Sequence, residues 1–230
     1  MPATRANLKI VPLFSDLSEA ELDLVLAASR VVFYPKANVV FNEGDPGDSL
    51  FVLVSGRVKV VLLGTGGKET ILAMLGTPGF FGELALLDGA PRSAAVVTLV
   101  KCEFLRIPRQ PFLELLAARP AVLFKVVTHL TRCLRDATDQ IRSLSMYDSY
   151  EKTLRCLLKL AAQDNAGDGK SLVVVRPRPQ HQELAHMIGC TRETVSRALT
   201  VLQDAGYISP TEEGFVIEER ALKRYLKPNL

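Results

Sequence analysis

The stretch QELAHMIGCTRETVSRAL, residues 182–199, decides the fold of the C-terminal part of the chain. Ala185 is small, as required where a second helix crosses closely, and Gly189 follows it by four residues. Glycine readily takes a positive φ and so can end a helix at that point. Thr191 can cap a second helix, on which Val195 begins an inward-facing apolar series at four-residue spacing. The stretch therefore predicts two helices joined by a tight turn.

The second helix of this pair begins with polar residues on its outer side. A helix with this geometry can offer its N-terminal residues to the major groove of DNA. Arginine matches the O6 and N7 acceptors of guanine, and glutamate accepts from the N4 group of cytosine. The alternative is a solvated charged face on a structural helical hairpin. The predicted DNA-binding residues are Gln182, Thr191, Arg192, Glu193, Thr194 and Arg197.

Short elements on both sides of this pair extend it to a winged helix. Residues 205–210 and 214–217 are expected to be two strands around the acidic turn 211–213. Because that turn is acidic, we assign it no phosphate contacts. Upstream, the pattern predicts a helix over 150–163 and a short strand over 172–175.

Residues 31–107 have a different pattern, in which short β-branched runs alternate with glycine-rich turns. Many short strands at this spacing indicate an antiparallel barrel or sandwich. The predicted strands are Val31–Tyr34, Asn38–Phe41, Leu50–Ser55, Arg57–Leu63, Glu69–Leu75, Ala94–Val100 and Cys102–Ile107. A short helix is expected before them as the first element of the chain, because Ser18 and Glu21 form a capping box.

Between these two regions the chain is expected to form one long helix that starts at Pro120. Its apolar residues recur at steps of four and three, which is typical of a coiled-coil seam. The predicted dimer interface consists of Leu123, Val127, Leu130, Leu134, Ala137, Ile141 and Leu144. In the alternative, the helix packs against its own domain. With a hinge over 145–149, the expected domains are 1–119, which contains the β-barrel, 120–144, which is the dimerisation helix, and 145–230, which is the DNA-binding winged helix.

A second motif, FGELALL at 81–87 followed by PRSAA at 91–95, has the chemistry of an anion site. The glycine permits close approach of a ligand, and backbone N–H groups at a short helix start can hold an anion. The arginine has two parallel donors for a phosphate, the serine adds a hydroxyl, and the glutamate can accept from a ribose hydroxyl. In the alternative, Arg92 and Glu83 pair and hold the turn without a ligand. The candidate binding residues are Gly82, Glu83, Leu84, Ala85, Arg92 and Ser93.

Composition sets the outer limits on function. With 28 Lys and Arg against 25 Asp and Glu, the net charge of +3 by itself requires no nucleic-acid or membrane partner. The 48% hydrophobic content excludes global disorder. The longest uncharged stretch, 70–82, is too short to span a membrane, and residues 1–9 lack the apolar core of an export signal. We therefore expect a cytoplasmic protein without a membrane partner.

The four cysteines lie far apart, without a Cys-x-x-Cys pair or a Cys/His cluster at metal spacing. They are expected to be free, mostly buried thiols, and no metal site is expected. His129, His181 and His186 have no nucleophile or carboxylate at a spacing that indicates catalysis. An enzyme is therefore disfavoured.

On these motifs the chain resembles the cyclic AMP receptor / fumarate-nitrate regulator (Crp/Fnr) superfamily of bacterial transcription factors, over almost its whole length. The resemblance implies an α+β fold with an effector-sensing jelly-roll, a dimerisation helix and a winged helix-turn-helix. It implies that Arg192, Glu193 and Arg197 contact a TGTGA-type half-site, and that 81–95 is a phosphate-binding cassette. The implied partners are a double-stranded DNA operator, a second copy of the chain and RNA polymerase.

The sequence departs from the cyclic AMP receptor branch on the long helix. The Thr-Ser pair expected to contact adenine there aligns with Ala137 and Thr138, of which only Thr138 can hydrogen-bond a base. Cys133 stands where that branch usually has arginine. Cyclic AMP is therefore the first expectation, with cyclic GMP and cyclic di-GMP left open.

Two other cofactors of the superfamily are not expected. No cysteine precedes Cys102, so the N-terminal cluster of the iron–sulfur regulators is missing. No histidine precedes His129, so the barrel lacks a histidine ligand for haem. The leading hypothesis is a dimeric regulator in which a cyclic nucleotide binds between the cassette and Thr138. A ligand-independent DNA-binding protein of the same family is the main alternative.

Overall fold

The computed structural model describes residues 4–164 and 173–225. The chain forms two compact units, residues 1–134 and 135–230. The boundary between them falls inside the long helix, which therefore contributes residues to both units.

The chain begins with helical elements that the sequence patterns only partly predict. Helix α1 (Arg5–Lys9) precedes α2 (Glu19–Ala27), so the expectation that the latter comes first is wrong. Five residues are too few to show a helical apolar period, although Leu8 on α1 is buried in the core. The predicted capping box is present: Ser18 Oγ accepts from the Glu21 N–H at 3.4 Å, and Glu21 Oε2 accepts from the Ser18 N–H at 2.8 Å.

The first unit contains two antiparallel four-stranded sheets, which confirms the predicted jelly-roll type of fold. One sheet has the order β1-β8-β3-β6 and the other β2-β7-β4-β5. The strands are β1 Arg30–Tyr34, β2 Val39–Phe41, β3 Ser49–Ser55, β4 Arg57–Leu63, β5 Glu69–Gly76, β6 Gly79–Phe81, β7 Ala95–Thr98 and β8 Cys102–Pro108. The sequence patterns missed β6, which has only three residues and pairs with β3 through Phe51 and Phe81.

Aromatic rings fill the space between the two sheets. Phe51 and Phe81 are stacked with centroids 5.4 Å apart, and Phe104 meets both rings edge-on. Valines of the second sheet, such as Val58 and Val96, complete this core. Because Phe81 is packed in this core, it fixes the position of the backbone at Gly82, the next residue of the 81–95 motif.

Three helices, one between β6 and β7 and two after β8, cover a second apolar core. They are α3 (Glu83–Asp88), α4 (Arg109–Ala118), which the sequence analysis did not assign, and α5 (Pro120–Met146). Phe112 of α4 and Val122 and Val126 of α5 pack with residues of α1 and α2. The start of α5 is thereby attached to the first unit.

The second unit is a winged helix, as expected. Its elements are α6 (Ser149–Asp164), β9 (Val173–Val175), α7 (His181–Ile188), α8 (Arg192–Asp204), β10 (Ile208–Pro210), β11 (Phe215–Ile217) and α9 (Glu219–Tyr225). The sheet has the order β10-β11-β9 and is antiparallel. The predicted strand over 172–175 corresponds to β9, and its first residue, Leu172, lies outside the described residues.

The break between α5 and α6 is narrower than the predicted hinge over 145–149. Helix α5 continues to Met146 and α6 begins at Ser149, so only Tyr147 and Asp148 lie between them. Asp148 Oδ1 accepts from the Glu151 N–H at 2.8 Å, as a helix-capping residue does. Within 4–164 and 173–225, no helix is both long and apolar enough to cross a bilayer.

Candidate functional site

The 81–95 motif folds around the backbone of Gly82. This residue follows β6 directly, has φ of 89°, and is the N-cap of α3. A Cβ atom there would lie 2.6 Å from Arg92 Nη1 and 3.3 Å from the Ser49 carbonyl oxygen. Glycine is therefore required both by the left-handed backbone and by the close approach of the arginine.

Arg92 is buried, with 3% of its side chain exposed. Its Nη1 donates to the Gly82 carbonyl and its Nη2 to the Ser49 carbonyl, each at 2.7 Å. The guanidinium lies 4.3 Å from the centre of the Phe41 ring, and Asp48 Oδ1 is 3.8 Å from Nη2. Burial lowers the pKa of Arg92, and the charge of Asp48 opposes that shift. The Nε atom is buried and has no hydrogen-bond partner among the described residues, so one donor is left for a ligand.

The loop between β2 and β3 holds this arginine from its backbone side. Gly44 N–H donates to the Arg92 carbonyl at 2.9 Å, and Arg92 N–H donates to the Asp45 carbonyl at 2.8 Å. Gly47 packs so closely on α3 that a Cβ atom there would lie 2.2 Å from the Ala85 Cβ. In the sequence this loop has only the composition of a glycine-rich turn, and no local signal links it to the 81–95 motif.

Glu83 is buried in the first turn of α3, with 7% of its surface exposed. Its Oε1 lies 3.3 Å from Nε2 of His129 on α5. Arg92 pairs instead with Asp48, so the alternative in which Arg92 and Glu83 pair directly does not match the ion pairs of the described part of the chain. Of the other motif residues, Ala85 is buried, and Leu84 and Ser93 are exposed.

One face of α5 brings His129 and Cys133 next to this motif, and of the two only Cys133 was expected to affect effector recognition. His129 Nε2 lies 3.5 Å from the Cys133 Sγ, on the next turn of the same helix. Hydrogen bonds to Cys133 and Glu83 raise the pKa of His129 to about 10, against the effect of burial. A His-x-x-x-Cys spacing on one helical face was the available sequence signal, but Glu83 lies 46 residues away in the chain.

The predicted dimer seam is exposed along α5. Leu130 is half-buried against the N-terminal core. The other six seam residues are exposed. The exposed fraction is 58–67% for the three large apolar residues towards the C-terminal end of α5, Leu134, Ile141 and Leu144. The helix packs on its own unit through Val122 and Val126 instead, so its apolar seam is a separate face.

The helix-turn-helix has the local geometry expected from its sequence. Gly189 ends α7 with φ of 68°, and the Cys190 N–H donates to the Ala185 carbonyl at 3.1 Å. Thr191 Oγ1 caps α8 by accepting from the Thr194 N–H at 3.2 Å. The two helices meet through fully buried Ala185 and Val195. This packing turns the other side of α8 outward.

Most of the predicted DNA-binding residues lie on that outer surface. Gln182, Thr191, Arg192, Glu193 and Arg197 are exposed, and Thr194 is half-buried. Hydrogen bonds from backbone N–H and from Thr191, with the charges of the two arginines, lower the pKa of Glu193.

A cleft beside the start of α7 is lined by Arg192 and by residues outside the predicted set of DNA-binding residues. Arg178 and His181 line it together with Arg192. Burial and the charges of these two arginines lower the pKa of His181. The cleft is therefore electropositive and suits phosphate groups.

Comparisons with known proteins match each unit to a family. Residues 31–119 match the cyclic nucleotide-binding domain, and residues 151–225 match the Crp-like helix-turn-helix domain. Together they define a transcription regulator with a cyclic nucleotide-binding domain and a DNA-binding helix-turn-helix.

Similar proteins match this chain over most of its length. The cyclic AMP receptor protein of Thermus thermophilus is 35% identical over 92% of this chain and 94% of its own. The cAMP-activated global transcriptional regulator of Haemophilus influenzae is 33% identical over 81% of this chain and 83% of its own. The structure of the c-di-GMP-responsive global regulator CLP of Xanthomonas campestris has a TM-score of 0.72 and 26% identity, over 87% of this chain and 99% of its own. The chain belongs to the Crp/Fnr family of transcription factors.

Proposed function

We propose that this protein is a homodimeric regulator whose affinity for a palindromic DNA operator is controlled by a cyclic nucleotide bound at the 81–95 cassette. The observation that carries the proposal is Arg92. A guanidinium is costly to bury, and this one is held by two carbonyls with its Nε donor still unsatisfied. A phosphate at this position would supply the acceptor that Nε lacks and a second negative charge beside that of Asp48.

Each part of a cyclic nucleotide has a candidate partner. The phosphate would accept from Arg92, Ser93 and the N–H groups of Leu84 and Ala85, and a ribose hydroxyl would donate to Glu83. Thr138, exposed on α5, is the candidate contact for the base. Cyclic AMP is the preferred effector because the Thermus thermophilus and Haemophilus influenzae relatives are named for it. Cyclic di-GMP is the second candidate because of the likeness to CLP.

Calorimetric titration of the full chain with cyclic AMP, cyclic GMP and cyclic di-GMP tests this assignment. We expect saturable binding of cyclic AMP. Arg92→Lys keeps the charge but removes the forked donors, so the affinity should fall by about 10- to 100-fold, as the loss of a charged hydrogen bond of about 1.5–3 kcal/mol implies. Arg30→Ala removes an exposed arginine of the same domain and is the matched control. No binding of any of the three nucleotides would refute cyclic-nucleotide control.

The same variants separate the proposal from a ligand-independent regulator. If a nucleotide controls DNA binding, Arg92→Lys should weaken operator affinity only when the nucleotide is present. A ligand can shift the protein toward its DNA-binding state only by its higher affinity for that state. If the unmodified protein and Arg92→Lys each bind the operator with the same affinity with and without nucleotide, the ligand-independent alternative is favoured.

For DNA, we propose that Arg192, Glu193 and Arg197 contact base edges of a TGTGA-type half-site in each of two successive major grooves. Arg192→Ala should cost about 1–3 kcal/mol and relax the preference at one base pair. Arg178→Ala, in the electropositive cleft, should instead weaken binding by the same factor on all sequences. Affinity measured on a set of single-base variants of the operator distinguishes these effects. An equal loss for Arg192→Ala on random DNA would contradict base contacts.

The remaining elements of the proposal concern the assembly. Residues 1–119 would bind the effector, 120–144 would form the dimer helix and 145–230 would bind DNA. The exposed apolar seam of α5 supports dimerisation, because parallel α5 helices would bury each seam residue against its own copy. As a transcription regulator, the protein would contact RNA polymerase and act in the cytoplasm. The proposal assigns it no catalytic activity.

A further inference from the structure

Three different metal-ligand groups converge between α3 and α5. The Glu83 carboxylate, the His129 imidazole and the Cys133 thiol each offer one ligand atom, and these atoms lie within 4.8 Å of one another. The carboxylate is buried, the imidazole is half-buried and the thiol is exposed. The group is thus held inside the protein at one end and reachable from solvent at the other.

The position of these residues on α5 is set by the packing of the helix. Val122, Val126, His129 and Cys133 follow one another at steps of four, three and four, so they share one face. The first two are buried apolar residues of the N-terminal core. At the level of Glu83, this face changes from apolar residues to an imidazole and a thiol. The His129 ring also packs against the Phe80 ring, with centroids 4.4 Å apart, and this contact orients the imidazole.

The distances around His129 Nε2 match the edges of a tetrahedral metal site. The nitrogen lies 3.3 Å from Glu83 Oε1 and 3.5 Å from Cys133 Sγ. With metal bonds of about 2.0 Å to nitrogen and oxygen and about 2.3 Å to sulfur, tetrahedral ligands would be separated by about 3.3 Å for the nitrogen–oxygen pair and about 3.5 Å for the nitrogen–sulfur pair. Two of the three ligand-to-ligand distances therefore suit one tetrahedral ion, and the third, between the Glu83 and Cys133 ligand atoms, is within 4.8 Å.

We propose that Glu83, His129 and Cys133 bind one divalent transition-metal ion, with zinc as the expected ion and cobalt(II) as its spectroscopic probe. One nitrogen, one thiolate and one carboxylate form a donor set that suits zinc. Three protein ligands leave a fourth position open to water or to another ligand. Glu83 is also the ribose contact of the proposed function, but metal binding requires no nucleotide and is tested without one.

Cobalt(II) titration of the reduced, metal-free full chain tests the site. We expect one Co²⁺ per chain, with a thiolate-to-cobalt charge-transfer band and the intense visible bands of a four-coordinate ion. One equivalent of Zn²⁺ should remove these bands by displacing the cobalt. The absence of a charge-transfer band at one equivalent of Co²⁺ would overturn the proposal.

Ligand variants and a matched thiol control identify the residues. Cys133→Ser should abolish the charge-transfer band, and His129→Gln and Glu83→Gln should each weaken Zn²⁺ binding by more than about tenfold. Cys133 is exposed, so its replacement should leave the circular dichroism spectrum and folding intact. Cys190→Ser, at a half-buried thiol of the second unit, should leave the band unchanged. A band that survives in Cys133→Ser, or disappears in Cys190→Ser, would assign the metal to other residues and refute the site.

Discussion

Replacement of Gly82 by alanine is the sharpest test of how the cassette is built. The added Cβ meets two obstacles, a left-handed backbone with φ of 89° and the Arg92 Nη1 atom at 2.6 Å. Gly44 is a matched control, because its φ is 84° and a Cβ there would have nothing within 4 Å. The difference between Gly82→Ala and Gly44→Ala therefore isolates the collision with the buried arginine.

The magnitude of each effect follows from these two features. A left-handed backbone costs about 1–2 kcal/mol for a residue with a Cβ atom, and this cost applies to both variants. At Gly82 the guanidinium must also move, which disturbs its hydrogen bonds to the Gly82 and Ser49 carbonyls. A hydrogen bond to a charged group contributes about 1.5–3 kcal/mol, so Gly82→Ala should destabilise the first unit by about 3–5 kcal/mol.

Calorimetry is the suitable assay, because the chain contains no tryptophan for fluorescence. Each kcal/mol should lower the Tm of the affected transition by about 2–4 °C. The nucleotide titration provides a second measurement: Gly82→Ala should weaken cyclic AMP binding more than Gly44→Ala, which keeps the Gly44 N–H that donates to the Arg92 carbonyl. Equal losses of stability and of affinity in the two variants would refute the proposed role of the contact between Gly82 and Arg92.

Three further predictions concern the metal site, the helix seam and the thiols. Saturating Zn²⁺ should weaken cyclic AMP binding in calorimetry because both ligands use Glu83, and a chelator should restore the affinity; an unchanged affinity would contradict a shared carboxylate. Leu134→Glu should convert a dimer into a monomer in sedimentation experiments, since it buries a charge against its own copy, whereas Arg132→Ala, on the outer face, should remain dimeric. A thiol reagent should modify exposed Cys133 in the native protein but not Cys156, because burial raises the pKa of Cys156 to about 12. Mass spectrometry measures the modification, and modified Cys156 in the native protein would contradict its burial.

The helices and strands that the sequence predicted have strong local signals. The turn between α7 and α8 depends on Gly189 and Thr191, whose conformational and capping preferences act over a few residues. The strand that was missed depends on a partner far away in the chain. Strand β6 has only three residues and exists through its pairing with β3, which no local pattern reveals.

The sequence by itself determined the family of folds and the motifs, because periodicity, capping and turn chemistry are properties of neighbouring residues. It also placed Gly82, Glu83 and Arg92 in one motif. Only the tertiary structure decided what these side chains contact. It sets Arg92 against the Ser49 carbonyl, 43 residues away, and Glu83 against His129, 46 residues away. Such contacts depend on how sheets and helices pack, so two side chains that carry no strong signal in the sequence, His129 and Cys133, come to lie beside Glu83.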